Sequence, residues 1–144
     1  MKDNMLERAK ANLYLAQQIL KLNSDDELQI NFAGYHLEQA VEFAVKFELD
    51  NSGIEYPKTH DIENLLRIAS ENNVVISGDE YIFDHAEMFS KWEASSRYII
   101  GYLIEKKKVE IAITHVIEYL EKLSKIYQWL ILFIVSEKYY SFYE

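Results

Sequence analysis

The chain has 144 residues, 49% of them hydrophobic and 14% aromatic, with one proline, four glycines and no cysteine. That length suits one domain able to bury roughly 70% of its unfolded surface, and so little proline and glycine predicts long helices rather than strands joined by tight turns. Aspartate and glutamate total 24 against 15 for lysine and arginine, a formal charge of −9. The acidic balance disfavours non-specific nucleic-acid binding, and the lack of cysteine excludes disulfides and thiolate chemistry.

The first residues, Met1-Lys2-Asp3-Asn4, mix charges and lead into an amphipathic pattern rather than an apolar signal core. The longest apolar run, Trp129 to Val135, is seven residues, far short of the about 20 needed to cross a bilayer. A soluble protein is expected, and absent cysteine suits a cytoplasmic location.

In chain order, a first helix is predicted over about residues 2–22, because Leu6, Ala9, Leu13, Ala16 and Leu20 recur at spacings of three and four and make one buried seam. Asn23-Ser24-Asp25-Asp26 supplies a turn and candidate N-caps. The second helix covers about residues 27–51 and ends at Asn51-Ser52-Gly53, where the glycine can take the left-handed conformation. Within it, residues 35–46 are apolar almost all round. Gln39, Glu42 and Lys46 share one narrow stripe, with Tyr35 beside them and His36 at the margin. Such a helix belongs at the centre of its domain, and its few polar groups need partners.

Pro57 lies in the next connection, and Thr59 is the expected N-cap of a short third helix reaching about Asn72, with Asp61 in its first turn. Val74-Val75-Ile76 reads as a packed loop. Gly78-Asp79 opens a fourth helix that carries Ile82, Phe83, Ala86 and Phe89 towards the core. Residues 95–102 are ambiguous, since Gly101 weakens a helical reading. In the last helix Val109, Ile113, Val116, Leu120, Leu123, Tyr127, Leu130 and Ile134 alternate spacings of four and three, a bundle seam sustained over about seven turns. The end, Tyr139-Tyr140-Ser141-Phe142-Tyr143, is unusually aromatic and can pack on its own domain, pack on a second copy, or fray. The division expected is a helical bundle over 1–135 and an aromatic extension over 136–144.

Three segments, in order, resemble the HEPN domain family, the helical domain named for nucleotide binding in higher eukaryotes and prokaryotes. The first is the amphipathic helix with Ala9, Leu13, Ala16 and Leu20. The second, Tyr35-His36-Leu37-Glu38-Gln39-Ala40-Val41-Glu42 with Lys46 downstream, is similar to the family's aromatic-His-x-x-Gln-Ala-x-Glu-Lys-x-x-Lys helix. The third, Gly53-Ile54-Glu55-Tyr56-Pro57-Lys58-Thr59-His60-Asp61, is similar to its Gly-Ile-x-x-Pro-x-Thr-His-Asp connection, and Ser96-Arg97-Tyr98 resembles an Arg-Tyr pair that often precedes the final helix. The likeness spans roughly residues 3–128. Phe43 stands where the family usually has lysine and Ile99 where it usually has proline. Both changes bear on nucleotide or nucleic-acid contacts more than on the fold.

Some members of the family are ribonucleases whose signature is an arginine followed, after four to six residues, by a histidine. That chemistry needs a cation beside the scissile phosphate and an imidazole to move a proton. Arg97 is followed by Tyr98-Ile99-Ile100-Gly101-Tyr102-Leu103-Ile104, and neither Arg8 nor Arg67 has a histidine in range. A composite site would have to use His36 or His60.

Each remaining candidate has two readings. His36 is a ligand donor beside Gln39 or a helix-margin histidine bonded to a neighbour. His60 and Asp61 shape an anion or nucleotide pocket or simply cap a helix and anchor a loop. Glu42 and Lys46 form a site or an ordinary intrahelical ion pair. Arg97, with Tyr98 beside it, contacts phosphate or ties its helix to a carboxylate. The histidines 36, 60, 85 and 115 show no metal-ligand spacing; Asp84-His85-x-Glu87 fails because neighbouring helical positions point apart. No metal or cofactor is expected, and Lys106-Lys107-Lys108 reads as solvated surface.

The fold expected is all-α: an up-and-down bundle of four long helices plus a short one. The apolar surface of such a bundle and the aromatic tail make a homodimer the expected assembly, as the resemblance also implies. The leading function is a non-catalytic HEPN-type binding module that works with a nucleotidyltransferase or binds a nucleotide, through His36, Gln39, Glu42, Lys46, His60, Asp61, Arg97 and Tyr98. Alternatives are a divergent ribonuclease acting as the toxin of a toxin–antitoxin pair, and a purely structural dimer.

Overall fold

The computed structural model describes the backbone of residues 3–23 and 25–143 and side chains as far as Lys138. Among the described residues the regular structure is entirely helical: α1 (Met5–Leu22), α2 (Glu27–Asn51), α3 (Ile62–Glu71), α4 (Glu80–Asp84), α5 (Ala86–Tyr98) and α6 (Lys106–Tyr143). Local chemistry sets most of the boundaries. Asn4 caps α1 by accepting the Glu7 amide at 2.9 Å, so the helix starts at Met5 rather than near residue 2. Asp26 caps α2 on Gln29. Gly53, at φ 69°, turns the chain out of α2 as its position after the last helical turn requires.

The α3 start differs from the sequence expectation. Asp61, not Thr59, is the N-cap, accepting the Asn64 amide; Thr59 Oγ1 accepts the Asp61 amide at 3.0 Å and so sets the turn one step earlier. The predicted fourth helix is also broken in two at His85, where the backbone amide and ring Nδ1 both engage the Tyr81 carbonyl. The bundle therefore holds one short helix more than expected, and the break leaves Phe83 43% exposed rather than in the core.

At the centre sits α2, which packs against α1, α3, α5 and α6. Ala33, Leu37, Ala40, Val41, Ala44, Val45 and Leu49 are fully buried. Around them pack Leu6, Ala9 and Ala16 of α1, Leu65 of α3, Phe89 and Trp92 of α5, and Val109, Val116, Leu120 and Leu123 of α6. Gly34 marks the closest approach: a Cβ there would lie 2.6 Å from Ile104 Cδ1 and 3.4 Å from the Trp92 ring. One turn earlier, Asn31 donates to the Tyr102 carbonyl and accepts the Ile104 amide. Of the stretch 95–102 that the sequence leaves ambiguous, 95–98 close α5, and this clamp fixes the connection from there to α6.

The seam of α6 ends sooner than its periodicity suggested. Leu130 and Ile134 are 48% and 51% exposed, because the helices that would cover them stop first. At 1.5 Å per residue, the 38 residues of α6 span about 57 Å and the 18 of α1 about 27 Å. Leu20, expected in the α1 seam, is only partly buried. The α6 backbone stays helical to Tyr143, while the packing of the aromatic side chains 139–143 lies outside the described residues. No helix among the described residues is long and apolar enough to cross a membrane.

Candidate functional site

The polar stripe of α2 is half-buried where it meets α5 and the chain leading into α3, with Glu42 its buried member. Glu42 is 2% exposed. Its two oxygens face Lys46 Nζ at 3.0 Å and His60 Nδ1 at 2.8 Å. Lys46 also lies 6.0 Å from the centre of the Tyr56 ring, a weak cation–π distance. One turn before Glu42 stands Glu38, fully buried, with Gln39 Nε2 donating to its Oε2 at 2.6 Å and Oε1 without a hydrogen-bond partner among the described residues. Across the interface, Glu93 of α5 is 5% exposed and pairs with Arg97 one turn later. Tyr35 sits within the field of Arg97, Glu38, Glu93 and Glu42; burial first, and those carboxylates after it, raise its phenol against the opposing pull of Arg97.

Three carboxylates in one low-dielectric region cannot all ionise without cost. Burial, then the charge of Glu42, pushes the Glu38 carboxyl up to about 9; the charge of Glu93 acts in the same direction, and the Gln39 bond opposes them. At neutral pH Glu38 is therefore the protonated acid of the group. Glu42 and Glu93 are each matched by a cation.

The resulting pH dependence has a definite sign. An acid protonated in the fold but ionised in the unfolded chain holds an extra proton between 4.5 and about 9. Stability from this site is then fully present below about pH 4.5 and is lost as pH rises across that window. The Glu38→Gln protein keeps the shape but cannot ionise. It is expected to melt several degrees above the parent at pH 8, with the difference closing towards pH 4.5, as read by thermal denaturation across pH. A parent whose melting temperature rises from pH 5 to pH 8 relative to Glu38→Gln would show the carboxyl ionised in the fold.

Of the eight residues singled out in sequence, the structure brings Gln39, Glu42, Lys46, His60 and Arg97 into this one cluster. His36 is elsewhere: its Nδ1 lies 2.8 Å from Asn12 Oδ1 on α1, and burial lowers its affinity for a proton. Asp61 is occupied as the α3 cap. Tyr98 is 73% exposed, its ring against the Arg97 guanidinium at 4.9 Å. Sequence reasoning passed over Glu38 and Glu93. The available signal was a pair of glutamates four apart, Glu38 and Glu42, on a helix otherwise nearly all apolar; for Glu93 it was the spacing of four to Arg97.

Chemically the cluster is a set of three buried carboxyl groups, one of them protonated, closed by its own cations. Lys46 and Arg97 reach towards solvent, yet each is committed to a carboxylate that is itself buried, and leaving such a carboxylate unpaired is expensive. A phosphate would have to break one of these pairs to bind.

Comparison with curated proteins and with solved structures gave no significant match. The family model of the HEPN domain matches residues 3–127, and with that span, the all-helical bundle and the central α2, the chain belongs to the HEPN domain family.

Proposed function

We propose that this chain is a non-catalytic HEPN-type binding module that works as a homodimer and pairs through the part of α6 that outruns the bundle. The observation that supports this is the run Trp129–Val135, in which all seven apolar residues are between 41% and 74% exposed. Seven consecutive residues go round the helix almost twice, so every face of this segment is apolar. A helix apolar all round is stable in water only when covered.

A second copy suits this surface. In an antiparallel pair centred on Ile131, Trp129 comes opposite Phe133, and Lys125 of one chain comes opposite Glu137 of the other. The dimer would serve as a helical platform for a nucleotidyltransferase, the partner class that the family resemblance implies.

Nucleotide binding is the weaker reading, because the side chains that would hold a phosphate, Lys46, His60 and Arg97, are each bonded to a buried carboxylate. Melting in metal-free buffer with millimolar nucleotides tests the choice, since a ligand of the folded state raises its stability by mass action. No change is expected with any nucleotide. A rise in melting temperature that disappears in Lys46→Ala or Arg97→Ala would replace docking with nucleotide binding, and cleavage of unstructured RNA sensitive to Arg97→Ala would make the protein an enzyme.

A further inference from the structure

Outside the carboxyl cluster, at the junction of α4 and α6, three side chains with metal-binding donors converge. Asp79, His115 and Glu118 each offer one ligand atom, and these atoms all lie within 4.8 Å of one another. His115 and Glu118 are three apart on α6 and so share a face. Asp79 comes from the other side as the N-cap of α4: Oδ1 accepts the Ile82 amide at 3.1 Å, which leaves Oδ2 to meet His115 Nδ1 at 2.7 Å. The carboxylate is thus held by backbone structure rather than on a free side chain.

The imidazole is held too. Its ring lies flat on Tyr81 with centroids 3.9 Å apart and planes 6° from parallel, and the other face of Tyr81 is stacked on His85 at 3.9 Å. Fixing the ligands beforehand lowers the ordering cost of binding, as supporting contacts do in metal sites generally. His115 is partly buried while Asp79 and Glu118 are exposed, so a cation has an open path in and positions left for water.

We propose that Asp79, His115 and Glu118 form a site for one divalent cation of the zinc, cobalt or manganese type, bridging α4 to α6. The donor set decides the class. One imidazole nitrogen and two carboxylates suit borderline transition metals, whereas magnesium and calcium call for shells of oxygen. Two carboxylate charges beside a neutral imidazole balance a 2+ ion. A cation held by Nδ1 and Oδ2 takes the place of the hydrogen bond between them, and the neutral ring then carries its proton on Nε2.

Isothermal titration of tag-free, chelator-treated full-length protein with zinc chloride tests the site, with cobalt as a spectroscopic probe. One zinc per chain is expected, accompanied by a rise in melting temperature, with visible cobalt absorption and no response to magnesium. Asp79→Asn keeps a capping side chain on α4, and Glu118→Gln keeps shape. Each is expected to weaken zinc binding by about tenfold or more, while His36→Ala, whose ring bonds to Asn12 of α1, changes nothing. Absence of stoichiometric zinc binding would overturn the proposal, as would binding that survives unchanged in both Asp79→Asn and Glu118→Gln.

Discussion

The double substitution Leu130→Asp and Phe133→Asp is expected to turn a dimer into a monomer while leaving the bundle folded. Both side chains lie on one face of the projecting α6, beside Trp129 and Ile126, and both are about half exposed in the single chain. Replacing them therefore creates no cavity in the core and should barely affect melting of the isolated bundle. In a dimer each would be covered. Burying a leucine or phenylalanine stabilises by about 1.5–3 kcal/mol, and both copies carry the change, so four side chains are lost from the interface at once. Four aspartates would also face one another across it, and desolvating unpaired charge costs more still.

Sedimentation equilibrium or light scattering over a concentration series reads the outcome directly. The parent should show twice the chain mass and the variant the chain mass, with the cooperative melting of the bundle retained. A parent that stays monomeric at high concentration would remove the dimer. A variant that stays dimeric would move the interface to another apolar surface, of which residues 98–103 are the best candidate: Ile100 is fully exposed and Leu103 about half exposed.

The largest loss of folding stability is expected from Glu48→Ala. Glu48 is 8% exposed on α2, and both its oxygens are in use. Ser77 donates to it from its amide at 3.1 Å and from its hydroxyl at 2.6 Å, and Tyr119 donates its phenol at 2.5 Å. Tyr119 is itself 2% exposed, and burial first, with the Glu48 charge and bond behind it, raises its phenol well above the ordinary value. One carboxylate thus ties the loop after α3 and the middle of α6 to the central helix.

Alanine at position 48 would leave the buried Tyr119 hydroxyl without its partner and take from the partly buried Ser77 the acceptor of its amide and hydroxyl. Each orphaned donor costs about 1–3 kcal/mol, and the bonds lost are of the stronger, charged kind. A total of about 3–5 kcal/mol is expected, a large share of the 5–15 kcal/mol typical of a domain. Urea denaturation measures it. Tyr119→Phe removes one donor and leaves the carboxylate bonded to Ser77, so it should cost clearly less. Equal losses for the two variants would mean that the carboxylate's bonds to Ser77 contribute little.

The parts of this fold legible in sequence are those governed by interactions a turn or so in length. The α2 span of 27–51 could be read from Asp26 before it and Gly53 after it, because capping and left-handed turns involve residues three or four apart. Its central position was legible in an apolar pattern that leaves no broad polar face. The stripe residues Gln39, Glu42 and Lys46 could be grouped for the same reason, since helical spacing fixes neighbours on one helix. The break at His85 could not be read, because periodicity continues through it and the ring stacking on Tyr81 has no sequence signature.

The candidate site was legible only in part. His36 and Gln39 are near in sequence, but His36 turns to Asn12 on α1 while Gln39 bonds to Glu38. Glu38 looked like an ordinary helical glutamate. Its protonated state follows from the nearness of Glu42 and Glu93 and from the exclusion of water, neither of which a single helix specifies.

By itself, then, the sequence determined the helical class, the central second helix, the family's motifs in order and the lack of an arginine–histidine pair at nuclease spacing. These rest on backbone propensity and on the period of the apolar residues, which act locally. The tertiary structure alone decided which carboxylates lost their water, where α6 left its neighbours behind and came out bare, and that Asp79 meets His115 from 36 positions away. Burial and encounters between distant residues depend on the lengths and packing of several helices together, and no one segment contains that information.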